Sequence, residues 1–152
     1  MSAIQTEYKD YMPEGYEGAV ANMRQRDFIS RTCEDAGITK FGRAVTKGTT
    51  DRTVTVNLTG KTSIVGVTVL DRGARINADM TEEGFAQYDT ARIAAKGSIW
   101  VKVSVAVVAD ELAFVTAANP GVFTNVEGTN IPVGKFETSA DAGGLAILHF
   151  DV

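Results

Sequence analysis

The chain has one cysteine, Cys33, in 152 residues, which excludes an internal disulfide and any multi-cysteine metal site; a small buried thiol is the expectation. It has one histidine, His149, and three prolines. No apolar run approaches the roughly 20 residues of a membrane span, so a soluble chain without a membrane partner is expected. The opening MSAIQTEYKDYMPEGYEG has no basic segment followed by an apolar run, as secretion requires, so the mature chain is expected to start at or near Met1. A basic stripe is missing too. The 15 Lys and Arg are scattered among 19 Asp and Glu for a net charge of -4, which argues against nucleic acid as a direct partner.

What remains is a globular composition, 44% apolar and 22% charged, in a length that suits one domain. The organising stretch is Gly97 to Val108, GSIWVKVSVAVV. Its odd positions Ile99, Val101, Val103, Val105 and Val107 share one face of an extended strand and predict core. Its even positions, Trp100, Lys102, Ser104, Ala106 and Val108, are mixed and predict a face toward solvent or a partner.

Residues 1–31 differ from the rest. Tyr8, Tyr11 and Tyr16 lie here among Pro13, Gly15, Gly18 and many charges, with neither strand nor helix periodicity. This predicts an extended arm whose aromatic residues anchor on another surface; the alternative is a terminal segment packed on its own domain or frayed. A short helical turn near Asp27 to Asp35 is also compatible with the pattern.

The stretch 32–152 reads as the β-domain. Val54, Val56 and Leu58 alternate with Thr53, Thr55 and Asn57, and SIVGVTVLD carries Val65, Val67 and Val69 on one face. Gly66 inside that run predicts a bulge, a bend or a close neighbouring backbone. Asp71 to Tyr88 is polar and predicts a long exposed connection. TARIAA is read as a strand entering a hairpin at Lys96-Gly97, in preference to a helix end. LAFVTA, Val122 to Val126, Lys135 to Thr138 and LAILHFDV complete a series of short strands. Such a series defines an all-β fold, a small β-barrel or β-sandwich with an extended N-terminal arm.

Reactive constellations are hard to find. LTGKTS at Leu58 to Ser63 holds the Gly-Lys-Thr of a phosphate loop, but Thr55 stands where that loop needs Gly and no helix follows, so a turn is expected. His149 has Ile147 and Asp151 on its strand face, which make no triad, and there is no Gly-x-Ser-x-Gly elbow. Asp79, Glu82, Glu83 and Asp89 crowd one loop in a spacing that fits no cation loop, and a solvated acidic loop is expected. Asn57-Leu58-Thr59 is only formally a glycosylation triplet. No catalytic residue, cofactor site or metal site is expected.

The series GAVANMRQRDFISRTCEDAGITKFGRAVTKG, SIVGVTVLDR, KGSIWVKV and PVGKFETSADAGGLAILHF resembles the tailed-phage structural cement proteins, a family of capsid decoration proteins, from about Gly18 to Phe150. The chain departs from that pattern at Asp110-Glu111, where the family commonly turns through Gly, and in the unmatched arm before Gly18. The resemblance implies a non-enzymatic virion protein on the outer surface of the phage head. It would bridge major capsid proteins and resist genome pressure as a homo-oligomer; a homotrimer is expected in preference to a dimer, because closed cyclic oligomers suit local threefold positions. On such a protein Tyr8, Tyr11 and Tyr16 of the unmatched arm are expected to lie on capsid protein or an adjacent subunit, because aromatic residues are favoured interface anchors. Arg24, Arg26 and Arg31 would then pair with capsid carboxylates and Trp100 would enter a subunit interface, core burial being the alternative for Trp100. The rival classes are a virion-surface adhesion or carbohydrate-binding module and, last, a small hydrolase with a metal in the acidic loop.

Overall fold

Alternating apolar residues separated by turns leave each strand one face to bury, and the chain solves this by rolling a sheet around two cores. The computed structural model describes residues 15–71, 83–118 and 121–152. Among these residues there are nine strands and no helix: β1 (Asp27–Cys33), β2 (Ala44–Lys47), β3 (Thr53–Thr55), β4 (Gly66–Thr68), β5 (Thr90–Lys102), β6 (Leu112–Val115), β7 (Phe123–Thr124), β8 (Ile131–Phe136) and β9 (Leu145–Asp151). The order β1-β3-β2-β4-β5 is closed into a five-stranded barrel by antiparallel pairing of β1 with β5. From β5 the sheet continues through β9, β8, β6 and β7, and a parallel bridge from Val103 to Phe123 brings β7 back to the end of β5.

The barrel encloses Cys33, Phe41, Val45, Val54, Phe85, Ala91 and Ile93. Phe41 and Phe85 meet edge to face with ring centroids 5.3 Å apart. A larger core lies against the barrel's outer wall. The paired row Ala44, Val67 and Ala94 forms that wall, and Ile99, Val101, Phe123, Phe136, Leu148 and Phe150 pack in the same cluster. Sandwiched between two cores, β4 is buried on both faces. Thr68 is tolerated there because its hydroxyl donates to the Lys40 carbonyl at 2.8 Å and accepts from the Arg43 amide at 3.0 Å.

β5 serves both cores by changing face. Against β1 its register slips between Lys96 and Ala94, leaving Ala95 without a partner in that strand. One skipped residue exchanges the faces of a strand. Ala91 and Ile93 therefore fill the barrel, whereas Ile99, Val101 and Val103 fill the second core. The expected core face of the organising stretch is observed.

Several expectations fail. No hairpin forms at Lys96-Gly97: the strand runs straight through, and TARIAA is the first half of β5 instead of a partner to it. The helical turn near Asp27 to Asp35 is absent, because Asp27 to Thr32 pair with β5. Residues 27–31, within the stretch read as arm, thus lie in the barrel wall. Residues 72–82, with Asp79 and Glu82, lie outside the described residues; just beyond them Phe85 is buried and bonds reciprocally with Thr39, so part of that connection is core, although Gln87 and Tyr88 at its end are exposed.

Candidate docking surface

Residues 15–24 form a strap across β5. The Gly18 amide donates to the Trp100 carbonyl at 2.8 Å, the Trp100 amide to Ala19 at 2.9 Å, and the Ala21 amide to Ser98 at 2.9 Å. The Leu70 amide closes on the Gly18 carbonyl at 2.8 Å, tying the strap to the end of β4's run. These bonds satisfy backbone groups on a stretch of β5 that would otherwise form an open edge. Gly18 must be glycine here: its φ is +85°, and a Cβ would fall 2.6 Å from the Phe41 Cβ.

Charges fasten the strap at both ends. Glu17 pairs with Arg43 at 3.1 Å, both side chains largely covered. Arg24 pairs with Glu137 at 3.1 Å, and the Asn22 amide group donates to the same carboxylate at 3.2 Å. Arg24 and Glu137 border a groove lined also by Leu112, Lys135 and His149, which stand in one register row with the buried Ser98. His149 Nδ1 lies 3.2 Å from the Ser98 hydroxyl.

The residues singled out from sequence are thus distributed. Tyr8 and Tyr11 lie outside the described residues. Tyr16 opens the strap and is 73% exposed. Trp100 is half-buried under that strap, with the Gly15 backbone directly against its indole. Arg24 is held by Glu137, Arg26 lies over the Phe28 ring at 5.9 Å from its centroid, and Arg31 donates to the Ser30 carbonyl at 2.9 Å. The strap brings Tyr16, Trp100 and Arg24 onto one band; Arg26 precedes β1 and Arg31 lies within it. Sequence reasoning passed over the exposed Met23, Phe28, Tyr88, Leu112 and Val126, whereas Val108 is exposed as its even position in the organising stretch predicted. Val126 did lie in a turn-rich run, but nothing in its spacing marked it as outward-facing.

Little here can react. Burial pushes the Cys33 thiol up to about 11. The backbone amide of Thr49 holds Glu34 below its usual range, and the Asn125 side chain, followed by the Val108 amide, does the same for Glu111. These carboxylates are acceptors that tie loops together. Among the described residues no group of three His, Cys, Asp or Glu side chains is placed to hold a metal. Leu58 to Lys61 is the expected turn, closed by the Lys61 amide on the Leu58 carbonyl at 3.1 Å.

No curated protein sequence matches the chain. Among solved structures it is similar to a chain of the capsid of Myoviridae phage XM1, with TM-score 0.68 at 14% identity, covering 99% of this chain and 98% of that one. It is also similar to the N base of the phage phi29 head fibre gp8.5, with TM-score 0.47 at 10% identity over 84% and 95% of the two chains. The first likeness establishes a shared fold. The family model described as structural cement protein (E217 gp24/Pam3 gp6) matches residues 4–151, so the match takes in most of the arm that was unmatched above. The chain belongs to the phage structural cement protein family, a non-enzymatic component of the virion capsid.

Proposed function

We propose that the protein binds the outer surface of the assembled phage head, bridges neighbouring major capsid proteins and so holds the shell against genome pressure. The observation that carries this reading is the family match over residues 4–151. The geometry supports it in a second way: exposed apolar side chains stand on separate turns, Tyr16 on the strap, Tyr88 before β5, and Val108 and Val126 beyond it. Dispersed contacts of this kind suit docking on an extended surface better than enclosing a small ligand. Repeated over a lattice, modest contacts act together because linked sites raise the effective concentration.

In this reading Tyr8, Tyr11, Tyr16, Arg24, Arg26, Arg31 and Trp100 contribute to the capsid or subunit contact, Trp100 from beneath the strap and Arg24 from its end, and three copies meet at local threefold positions. Co-sedimentation of the purified chain with compact procapsids and with expanded, undecorated shells tests it. Saturable binding to expanded shells at three copies per site is expected. Absence of binding to either shell would overturn the reading in favour of a virion-surface adhesion module, and two copies per site would replace the trimer with a dimer.

A further inference from the structure

Five turns among the described residues share one geometry: Tyr16–Ala19, Leu58–Lys61, Ala86–Asp89, Val108–Glu111 and Asp141–Gly144. In each, the fourth amide donates to the first carbonyl at 2.9–3.2 Å and the third residue has positive φ. That position favours glycine, or a short polar side chain, for steric reasons. Gly18, Gly60 and Gly143 occupy it in three of the turns, and Asp110 in the fourth, at φ +74°. In the fifth it is Tyr88, at φ +69°.

The fold gives no return for that choice. The Tyr88 side chain stands 75% exposed, away from both cores. Its backbone is held in place by others: its amide donates to the Cys33 carbonyl at 2.7 Å, the Ala86 amide to the Asp89 carboxylate at 3.1 Å, and the Gln87 side chain to the Glu34 carbonyl at 3.2 Å. A strained conformation enforced by its surroundings, carrying a displayed aromatic ring, is the arrangement found where proteins grip ligands. Aromatic rings with a polar tip are favoured anchors in protein contacts, because they offer large area with few rotatable bonds.

We propose that Tyr88 is an anchor residue of the capsid contact, its ring entering an apolar depression on a shell protein and its phenol bonding at the rim. This rests on the capsid-binding reading above. The test uses the full chain with Tyr88→Gly, Tyr88→Ala and, as a control, Asp110→Gly, read by thermal unfolding and by binding to expanded undecorated shells. Tyr88→Gly is expected to raise Tm by about 3 °C as strain is released and to weaken shell binding at least tenfold. Tyr88→Ala, which removes the ring but keeps a Cβ at positive φ, should lose binding equally without the gain in Tm. Asp110→Gly should raise Tm and bind like wild type. Unchanged binding of either Tyr88 variant overturns the proposal, as does a fall in Tm with Tyr88→Gly, which would make Tyr88 structural. A wild-type chain that does not bind shells overturns the capsid reading, and the anchor with it.

Discussion

Replacing Gly66 by alanine isolates the closest backbone approach in the barrel wall. A Cβ built there falls 2.3 Å from the Ala94 carbonyl oxygen and 2.7 Å from Ile93 Cγ2. The first of these neighbours is main chain, in the strand paired with β4 through Val67↔Ala94 and Thr68↔Ile93. Ordinary contact would require β4 and β5 to separate by about 1 Å, which no rotamer change can absorb. Overpacking of this kind costs about 1–3 kcal/mol, and a ladder bond left stretched in a dry interior adds about 1–3 kcal/mol. We expect a loss of about 2–6 kcal/mol, a large share of the 5–15 kcal/mol typical of a domain, seen as a Tm lower by about 10 °C. Two other glycines calibrate the result. Gly37 has nothing within 4 Å and no positive φ, so Gly37→Ala should gain about 0.4–1 kcal/mol through the unfolded state. Gly60 also faces open space but has φ +72°, so Gly60→Ala should cost about 1 kcal/mol from strain alone. Thermal and denaturant unfolding of the three variants measures all of this. A Gly66→Ala protein within about 1 kcal/mol of wild type, or a Gly37→Ala protein equally damaged, would refute the reasoning.

Cys33, buried and with its thiol raised to about 11, should resist alkylation at pH 8 in the folded protein and react completely in denaturant; fast native-state labelling would contradict its burial. Glu34 is held below its usual range by the Thr49 amide, so its contribution is present above the unfolded value near pH ~4.3 and is lost as pH falls through the folded value. Glu34→Gln should therefore flatten the acid limb of the stability profile, and an unaltered limb would discount that bond. Deleting residues 2–17 removes Glu17 from Arg43 but keeps the Gly18 to Ala21 bonds to β5. The β-domain should stay folded with Tm a few degrees lower and bind shells more weakly; full-strength binding would exclude the arm from the contact.

The parts legible in the sequence were those where a side-chain period reports burial. Ile99, Val101 and Val103 repeat every second residue and face one core, as that period requires. Gly66 signalled a near backbone, because an isolated glycine in a valine run has few other uses. The continuation of β5 through Gly97 was illegible: the odd-position period runs unbroken through the bulge at Ala95, which hides the exchange of faces, and Lys96-Gly97 reads as a hairpin turn. The strap was legible only as one of two alternatives, an arm anchored on another surface or a segment packed on its own domain, and residues 15–24 follow the second. Their grip on β5 is made by backbone groups of Gly18, Ala19 and Ala21, which any residue possesses, so composition could not choose. Phe85 was missed because one aromatic residue in a polar run carries no periodicity. Tyr88 left no trace, since left-handed φ at a tyrosine follows from the bonds around it and not from its own preference. Trp100 could be read either way from sequence, and the chain's own Gly15 covers part of it.

The shared strand also has a mechanical meaning. The Tyr88 turn leads directly into β5 at Thr90, so a pull on that turn along the strand enters the longest strand, whose two halves fill the two cores. β5 is flanked by six residue pairs with β1 and seven with β9. Antiparallel hydrogen bonds lie perpendicular to the strands, so axial tension loads these rows together in shear, and none gives way until many do. A pull on the chain end beyond Asp151, directed across the sheet, meets the same bonds one at a time and unzips β9. The protein should accordingly resist force in one direction far better than in the other, with Tyr88 at the strong end.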